Sequence, residues 1–374
     1  MEVYLTSPWI PAEWVRAHGL PARGLGAADW FRTAGFPIGG SLAVHPDVVG
    51  KTWGHPLGGR PAGWETRETA DWEVCGTKSP GTSPRGARAL SAGVCVWAEE
   101  AVRLAEARPG SAVIFSTACD QMRRAFDTVG LDGPRHTFLF NLPSTWQTPA
   151  AGEIFRAELE RLGRFLLSIG GHAPTAEGLR RGLWQANTAR ASLLAAAPVS
   201  SPRGWAAAVA RFHWDGTVSP APSAVPAPPT PLALVGGPFL PLHWEVLDEL
   251  EAAGGGVVLN ATETGERSLA PVFELESGAG DLMDALIHGY ADNLADVFQR
   301  PNTRLYAWLK PRLASRGVRG LVLWHYTGCD LWRAEAQTLR ETFGLPVLLL
   351  EAGEGPGVAP RERTRLQAFM EALK

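Results

Sequence analysis

The chain has 374 residues, 45% of them hydrophobic and 20% charged, with a formal net charge of −3. A length beyond the usual single core predicts two domains, and the charge argues against a nucleic-acid binder that works by bulk electrostatics. No stretch reaches the ~18–20 consecutive apolar residues of a membrane span, no signal-peptide pattern opens the chain, and four cysteines without a CxxC pair make no disulfide scaffold. A reducing cytoplasm is the expected compartment.

In chain order, residues 2–5 and 36–38 read as strands, while 40–82 are Gly-, Pro- and Trp-rich without a clear period. Ser83 as N-cap and Pro84 in the first turn predict a helix over 84–107. The apolar runs 112–116 and 137–141 read as strands. Residues 151–169 read as an amphipathic helix carrying Phe155, Leu159, Leu162, Phe165 and Leu166. Further helices are expected at 175–196 and 202–212. The Pro- and Ala-rich run 219–231 predicts a semi-rigid connector. Beyond it come a strand at 232–237, a helix at 243–253 and a strand at 257–260. A helix-rich stretch at 280–314, a strand at 320–325, a helix at 334–343, a strand at 345–350 and a helix at 361–373 complete the chain.

Apolar, non-alternating strands interleaved with helices predict an α/β fold with parallel sheets covered on both faces. The expected organisation is an N-terminal α/β domain (1–150), a helical connecting region (151–218), the linker (219–231) and a C-terminal α/β domain (232–374).

Two cysteines stand out because their surroundings match. Cys119 follows the apolar run 112–118 and Cys329 follows 321–328, and each is followed by Asp and a helix-like stretch. Ligands gather at the carboxyl ends of strands in open α/β sheets. A thiolate there also lies near a helix N-terminus, which favours negative charge. The pair suggests two similar halves holding one soft metal centre between them.

Several segments resemble one family. Ser116-Thr117-Ala118-Cys119-Asp120-Gln121-Met122-Arg123-Arg124-Ala125-Phe126-Asp127 is similar to the signature of the 2-hydroxyacyl-CoA dehydratase and benzoyl-CoA reductase subunits. So are Ser7-Pro8-Trp9-Ile10-Pro11, Leu142-Pro143-Ser144-Thr145, Leu234-Val235-Gly236-Gly237-Pro238 and Thr262-Glu263-Thr264-Gly265-Glu266-Arg267. The tail adds Gly328-Cys329-Asp330 and Gly344-Leu345-Pro346.

The resemblance implies paired Rossmann- or flavodoxin-like domains whose cleft grips an iron–sulfur cluster, typically 4Fe-4S, through three cysteine thiolates. It implies an acyl-CoA-type substrate, a homologous partner subunit and an ATP-dependent activator protein, with no role for nucleic acid or membrane. The leading expectation is an iron–sulfur subunit of a 2-hydroxyacyl-CoA dehydratase-like lyase. The alternatives are a benzoyl-CoA reductase-type subunit or a cluster-poor, non-catalytic partner subunit.

Cys119 and Cys329 fit the family's second and third ligand positions. The first is expected roughly thirty residues before Cys119 at a helix start, where Ser83 stands. Cys95, inside the expected helix, is favoured as the third ligand, with Cys75 as the alternative. No general base is assigned. Arg123 and Arg124 read either as contacts for a CoA phosphate or as solvated helix residues, and Asp127 as the i,i+4 partner of Arg123. His325 reads as a core histidine. Glu263, Glu266 and Arg267 occupy a loop after a strand, where substrate contacts occur.

Overall fold

The computed structural model of the chain describes residues 1–25, 94–131, 136–218, 224–271, 282–353 and 357–374. The expected strand at 36–38, Cys75 and the Ser83–Pro84 helix start lie outside the described residues.

The chain forms two four-stranded parallel sheets of the same strand order. The first contains β1 (Val3–Leu5), β2 (Ala22–Gly24), β3 (Ala112–Ser116) and β4 (His136–Phe140), arranged β2-β1-β3-β4. The second contains β5 (Thr230–Gly236), β6 (Gly255–Thr262), β7 (Gly320–Tyr326) and β8 (Val347–Ala352), arranged β6-β5-β7-β8. In both, the chain switches sides between the first and third strands in sequence, which opens a crevice at their carboxyl ends. The α/β reading therefore holds, and the two halves repeat one topology.

The first lobe carries α1 (Ala12–Ala17), α2 (Val96–Ala107) and α3 (Asp120–Leu131). Between the sheets run α4 (Pro149–Ser168), α5 (Ala176–Ala196) and α6 (Pro202–Asp215). The second lobe carries α7 (Glu245–Ala252), α8 (Leu282–Ile287), a π-helical turn His288–Asp292, α9 (Thr303–Ser315), α10 (Asp330–Phe343) and α11 (Pro360–Ala372).

Local chemistry accounts for these elements. Every residue of β7 is buried, as a strand with neighbours on both sides and helices on both faces requires. In α4, Phe155, Leu159, Leu162 and Leu166 fall on one stripe and are fully buried. Helix α5 is capped by Thr175, whose hydroxyl accepts the Gly178 amide, and α6 by Ser201 with the Gly204 amide. Gly216 ends α6 in the left-handed conformation.

Four details correct the sequence reading. Within the expected helix at 84–107, Cys95 has extended backbone angles and is the N-cap of a helix that starts at Val96, while residues 84–93 lie outside the described residues. Helix α10 starts directly after Cys329 and not at 334. Strand β2 was not anticipated, being too short to show a pattern. Strand β5 takes up Thr230 and Pro231, which the connector was expected to include; a proline is tolerated near a strand's first residue.

The lobes share an interior. One apolar cluster runs from Val113 and Phe115 through Trp97, Phe239 and Trp324 to Leu366. A buried polar tie joins Glu13 of α1, Arg190 of α5 and Tyr290 of the π turn: the Arg190 guanidinium donates to Glu13 and to Tyr290 Oη, and Tyr290 donates to Glu13 at 2.7 Å. Burial pushes Glu13 up, but Arg190 and the tyrosine hydroxyl outweigh it and hold the carboxyl below the usual range.

The carboxyl edge of the second sheet is clamped by Arg267. Its guanidinium donates to Ala261 O at the end of β6, Gly236 O at the end of β5, Ala295 O and Asp296 Oδ2, all at 2.6–2.7 Å. It also lies 4.7 Å over the Trp332 ring of α10. Gly236 is required beside it: its φ is +155°, and a Cβ there would stand 2.0 Å from the Trp324 carbonyl oxygen.

Arg267→Met is expected to lower unfolding free energy by about 3–5 kcal/mol, because Asp296 would remain buried without its partner. Gly236→Ala is expected to be as severe, about 4 kcal/mol or more. Denaturant unfolding of both variants checks this, and losses under about 1 kcal/mol would contradict it.

Candidate functional site

Three cysteines stand at the starts of three helices. Cys95 caps α2, Cys119 immediately precedes α3, and Cys329 caps α10. All three are free thiols; Cys95 is buried and the other two are half-buried. Cys119 follows β3 and Cys329 follows β7, the third strands of their sheets, so the two sulfurs occupy equivalent positions at the two crevices.

The turns that carry them are also alike. Thr117, two residues before Cys119, donates its amide to Phe140 O, accepts the Leu142 amide on its hydroxyl at 2.9 Å and donates that hydroxyl to Asn141 Oδ1 at 3.1 Å. Thr327, two residues before Cys329, bonds through its amide to Ala352 O and donates to Glu351 Oε1 at 2.8 Å. Each threonine thus ties its cysteine turn to the end of the neighbouring fourth strand. Sequence reasoning missed this pair, although the spacing Thr-x-Cys-Asp at 117–120 and 327–330 carries the signal.

Burial pushes the Cys119 and Cys329 thiols up to about 12 and raises Cys95 as well. First-turn amides oppose this, those of Trp97 and Ala98 at Cys95, Met122 and Gln121 at Cys119, and Trp332 at Cys329. Neither Cys95 nor Cys329 closes a side-chain cap with them. The sulfurs also sense one another: negative charge on Cys95 raises both other thiols, and charge on Cys119 raises Cys329. The thiols therefore share one electrostatic neighbourhood between the lobes. Among the described residues, no three His, Cys, Asp or Glu side chains gather tightly enough to chelate a single metal ion.

The loop 262–267 resolves into separate roles. Glu266 pairs with Arg312 of α9 at 3.1 Å and with Arg316, the residue that caps that helix, at 2.7 Å, and Arg267 is consumed by its clamp. Of the loop's charged side chains, Glu263 is the one without an ion pair among the described residues. It is half-buried, its Oε1 accepts from Ser7 Oγ of the other lobe at 3.3 Å, and its charge acts on Cys95 and Cys119. Burial, reinforced by Asp296 and only partly offset by Arg267, pushes its carboxyl up to about 8. Two carboxylates compete for one guanidinium, and Asp296 holds it.

The remaining candidates sit outside this neighbourhood or serve the fold. Arg123 and Arg124 are exposed, and Arg123 turns toward Asp120, 3.9 Å away, where Asp127 was the expected partner. His325 is 2% exposed, and desolvation lowers its pKa, so it is a neutral core side chain bonded to Tyr326 O.

In metal-free protein the raised thiols impose a sign on stability. The folded state holds its thiol protons to higher pH than the unfolded chain, which releases them near 9. Stability is expected to fall as pH rises from about 9 toward 12. Unfolding titrations across this range should show a shallower fall in Cys119→Ala than in the native chain; identical slopes would contradict the burial of that thiol.

No described helix is long and apolar enough to cross a membrane. A search of curated proteins returns no match. The family model described as 2-hydroxyglutaryl-CoA dehydratase, D-component, matches residues 57–201 and 219–373, the greater part of the chain. On this match, which covers well over half of its length, the chain belongs to the 2-hydroxyglutaryl-CoA dehydratase D-component family.

Proposed function

We propose that this chain is the iron–sulfur subunit of a 2-hydroxyacyl-CoA dehydratase, with Cys95, Cys119 and Cys329 as the cluster's thiolate ligands. The single observation that supports this most is the arrangement of the three thiols at the starts of α2, α3 and α10, within one another's electrostatic reach. The donor chemistry fits: soft thiolates are what an iron–sulfur cluster binds, and each ligates its own iron, so the sulfurs need not converge on one point. The nearby helix amides offset the negative charge that ligation leaves on sulfur. Cys95 is preferred as the third ligand because it stands at a helix start, as the resemblance requires of that position.

When bound, such a cluster supplies one-electron chemistry and a Lewis-acidic iron beside the thioester. The protein supplies the proton handling. With its carboxyl pushed up to about 8, Glu263 holds a proton at neutral pH, and, within electrostatic reach of Cys95 and Cys119, its Oε2 would give that proton to a departing hydroxyl, so that water leaves. Ser7 Oγ donates to Oε1 of this carboxyl from the other lobe at 3.3 Å, which leaves Oε2 for the transfer. The raised thiols must lose their protons on loading, so cluster assembly is expected to release protons and to improve with rising pH. A homologous partner subunit and an ATP-dependent electron donor follow from the family reading.

Anaerobic reconstitution with iron and sulfide tests the assignment. The native chain is expected to take up a cluster with an electron paramagnetic resonance signal after reduction, and Cys119→Ala, Cys329→Ala and Cys95→Ala to lose most of the iron. Colourless, iron-free native protein would overturn the reading in favour of a non-catalytic partner. Glu263→Gln is expected to keep its iron and lose about a hundredfold or more in dehydration rate.

A further inference from the structure

A cavity of about 330 Å³ lies where the chain after β4 meets the stretch 291–304 of the second lobe. That is the low end for small-molecule sites, so it suits a compact ligand. Bonds across the lobes hold its walls together. The Arg300 amide donates to Ser144 O at 2.8 Å, and Trp146 Nε1 donates to Pro301 O at 2.7 Å. Part of the wall is the end of the π turn, a distortion that recurs at functional sites. Neither the three thiols nor Glu263 line it.

The wall carries positive charge that nothing neutralises. Arg304 lies in the first turn of α9, where the helix dipole disfavours a cation. Its guanidinium lies 4.2 Å over the Trp146 ring and donates to Ala291 O at 3.1 Å. Among the described residues no carboxylate stands at ion-pair distance from it; burial disfavours its charge, and the more distant Asp292 opposes this. The start of α4 has the same sign: Thr148 forms no side-chain cap, the first turn carries no acid, and Thr148, Ala151 and Gly152 line the cavity.

The same wall also lacks donors. Gln299 is 3% exposed; its Nε2 donates to Pro143 O at 3.3 Å, while its Oε1 has no partner among the described residues. A buried acceptor in that state costs free energy until a donor meets it. Asp292 adds a carboxylate, bonded to the His288 ring at 3.3 Å. Phe155 and Leu294 supply an apolar surface. A plain anion satisfies Arg304 and leaves Gln299 orphaned, and a plain cation does the reverse.

We propose that this cavity is an effector site for a free α-amino acid with an apolar side chain. The carboxylate pairs with Arg304 and the start of α4, and the ammonium donates to Gln299 Oε1 and Asp292. The side chain packs on Phe155 and Leu294. Such an occupant touches both lobes beside Leu142, whose amide bonds the Thr117 hydroxyl, and so braces the Cys119 turn. The site does not rest on the function proposed above.

Isothermal titration calorimetry on the full chain at pH 7 tests it with L-valine and two analogues. L-valinamide lacks the carboxylate, and isovalerate lacks the ammonium. L-valine is expected to bind saturably, and each analogue about tenfold or more weakly, the loss of a charge-assisted bond. Arg304→Met and Gln299→Met are each expected to lose about tenfold or more in L-valine affinity. Coenzyme A is expected to leave L-valine binding unchanged; competition would give the cavity to the thioester and overturn the proposal. An absence of saturable L-valine binding would overturn it too. So would an analogue that binds as tightly, since isovalerate would then mark a plain anion site and L-valinamide a plain cation site. These comparisons on the native chain decide the matter even where a variant fails to fold. Unchanged affinity in a folded variant would also contradict the proposal.

Discussion

The Arg267 guanidinium is the constraint on which the second lobe's working edge depends. It is fully buried and spends its donors on the carbonyls that end β5 and β6, on Ala295 O and on Asp296. It also stacks on Trp332, and so ties those strand ends to the helix that begins at Cys329. A buried charge persists only when such partners surround it. The consequence reaches beyond rigidity. With Arg267 engaged by Asp296, Glu263 has no ion-pair partner among the described residues, and its carboxyl stays above the usual range, as the acid role proposed for it requires.

Repetition of the fold explains how distant residues come together. Each sheet has its first strand between its second and third, and each third strand ends in Thr-x-Cys-Asp at a helix start. Facing two such crevices across a shared apolar core places Cys119 and Cys329 in one electrostatic environment. Cys95 departs from this repeat, coming from the helix that precedes β3. The three thiols are therefore two at matched positions of the repeat and one outside it.

Much of this was legible in the sequence, for reasons that differ by element. The buried strands showed themselves as unbroken apolar runs, and Cys119 and Cys329 stood out because the strand–Cys–Asp–helix order recurs. The start of α2 was not legible: residues 96–107 continue a helix-compatible pattern backward, and the cap signal at Ser83–Pro84 drew the boundary away from Cys95. Strand β2 has only three residues and too few side chains to display a period. Glu263 and Glu266 look equivalent in sequence, and only packing against Arg312 and Arg316 separates the paired one from the one without an ion pair among the described residues.

The central claim is that sulfur from both lobes holds one cluster. An anomalous difference map collected at the iron edge, from anaerobically grown crystals of the reconstituted chain, tests it most directly. The account predicts iron density between the lobes within bonding distance of the Sγ atoms of Cys95, Cys119 and Cys329. Iron bound elsewhere, or bound with any of these three sulfurs turned away, would contradict it.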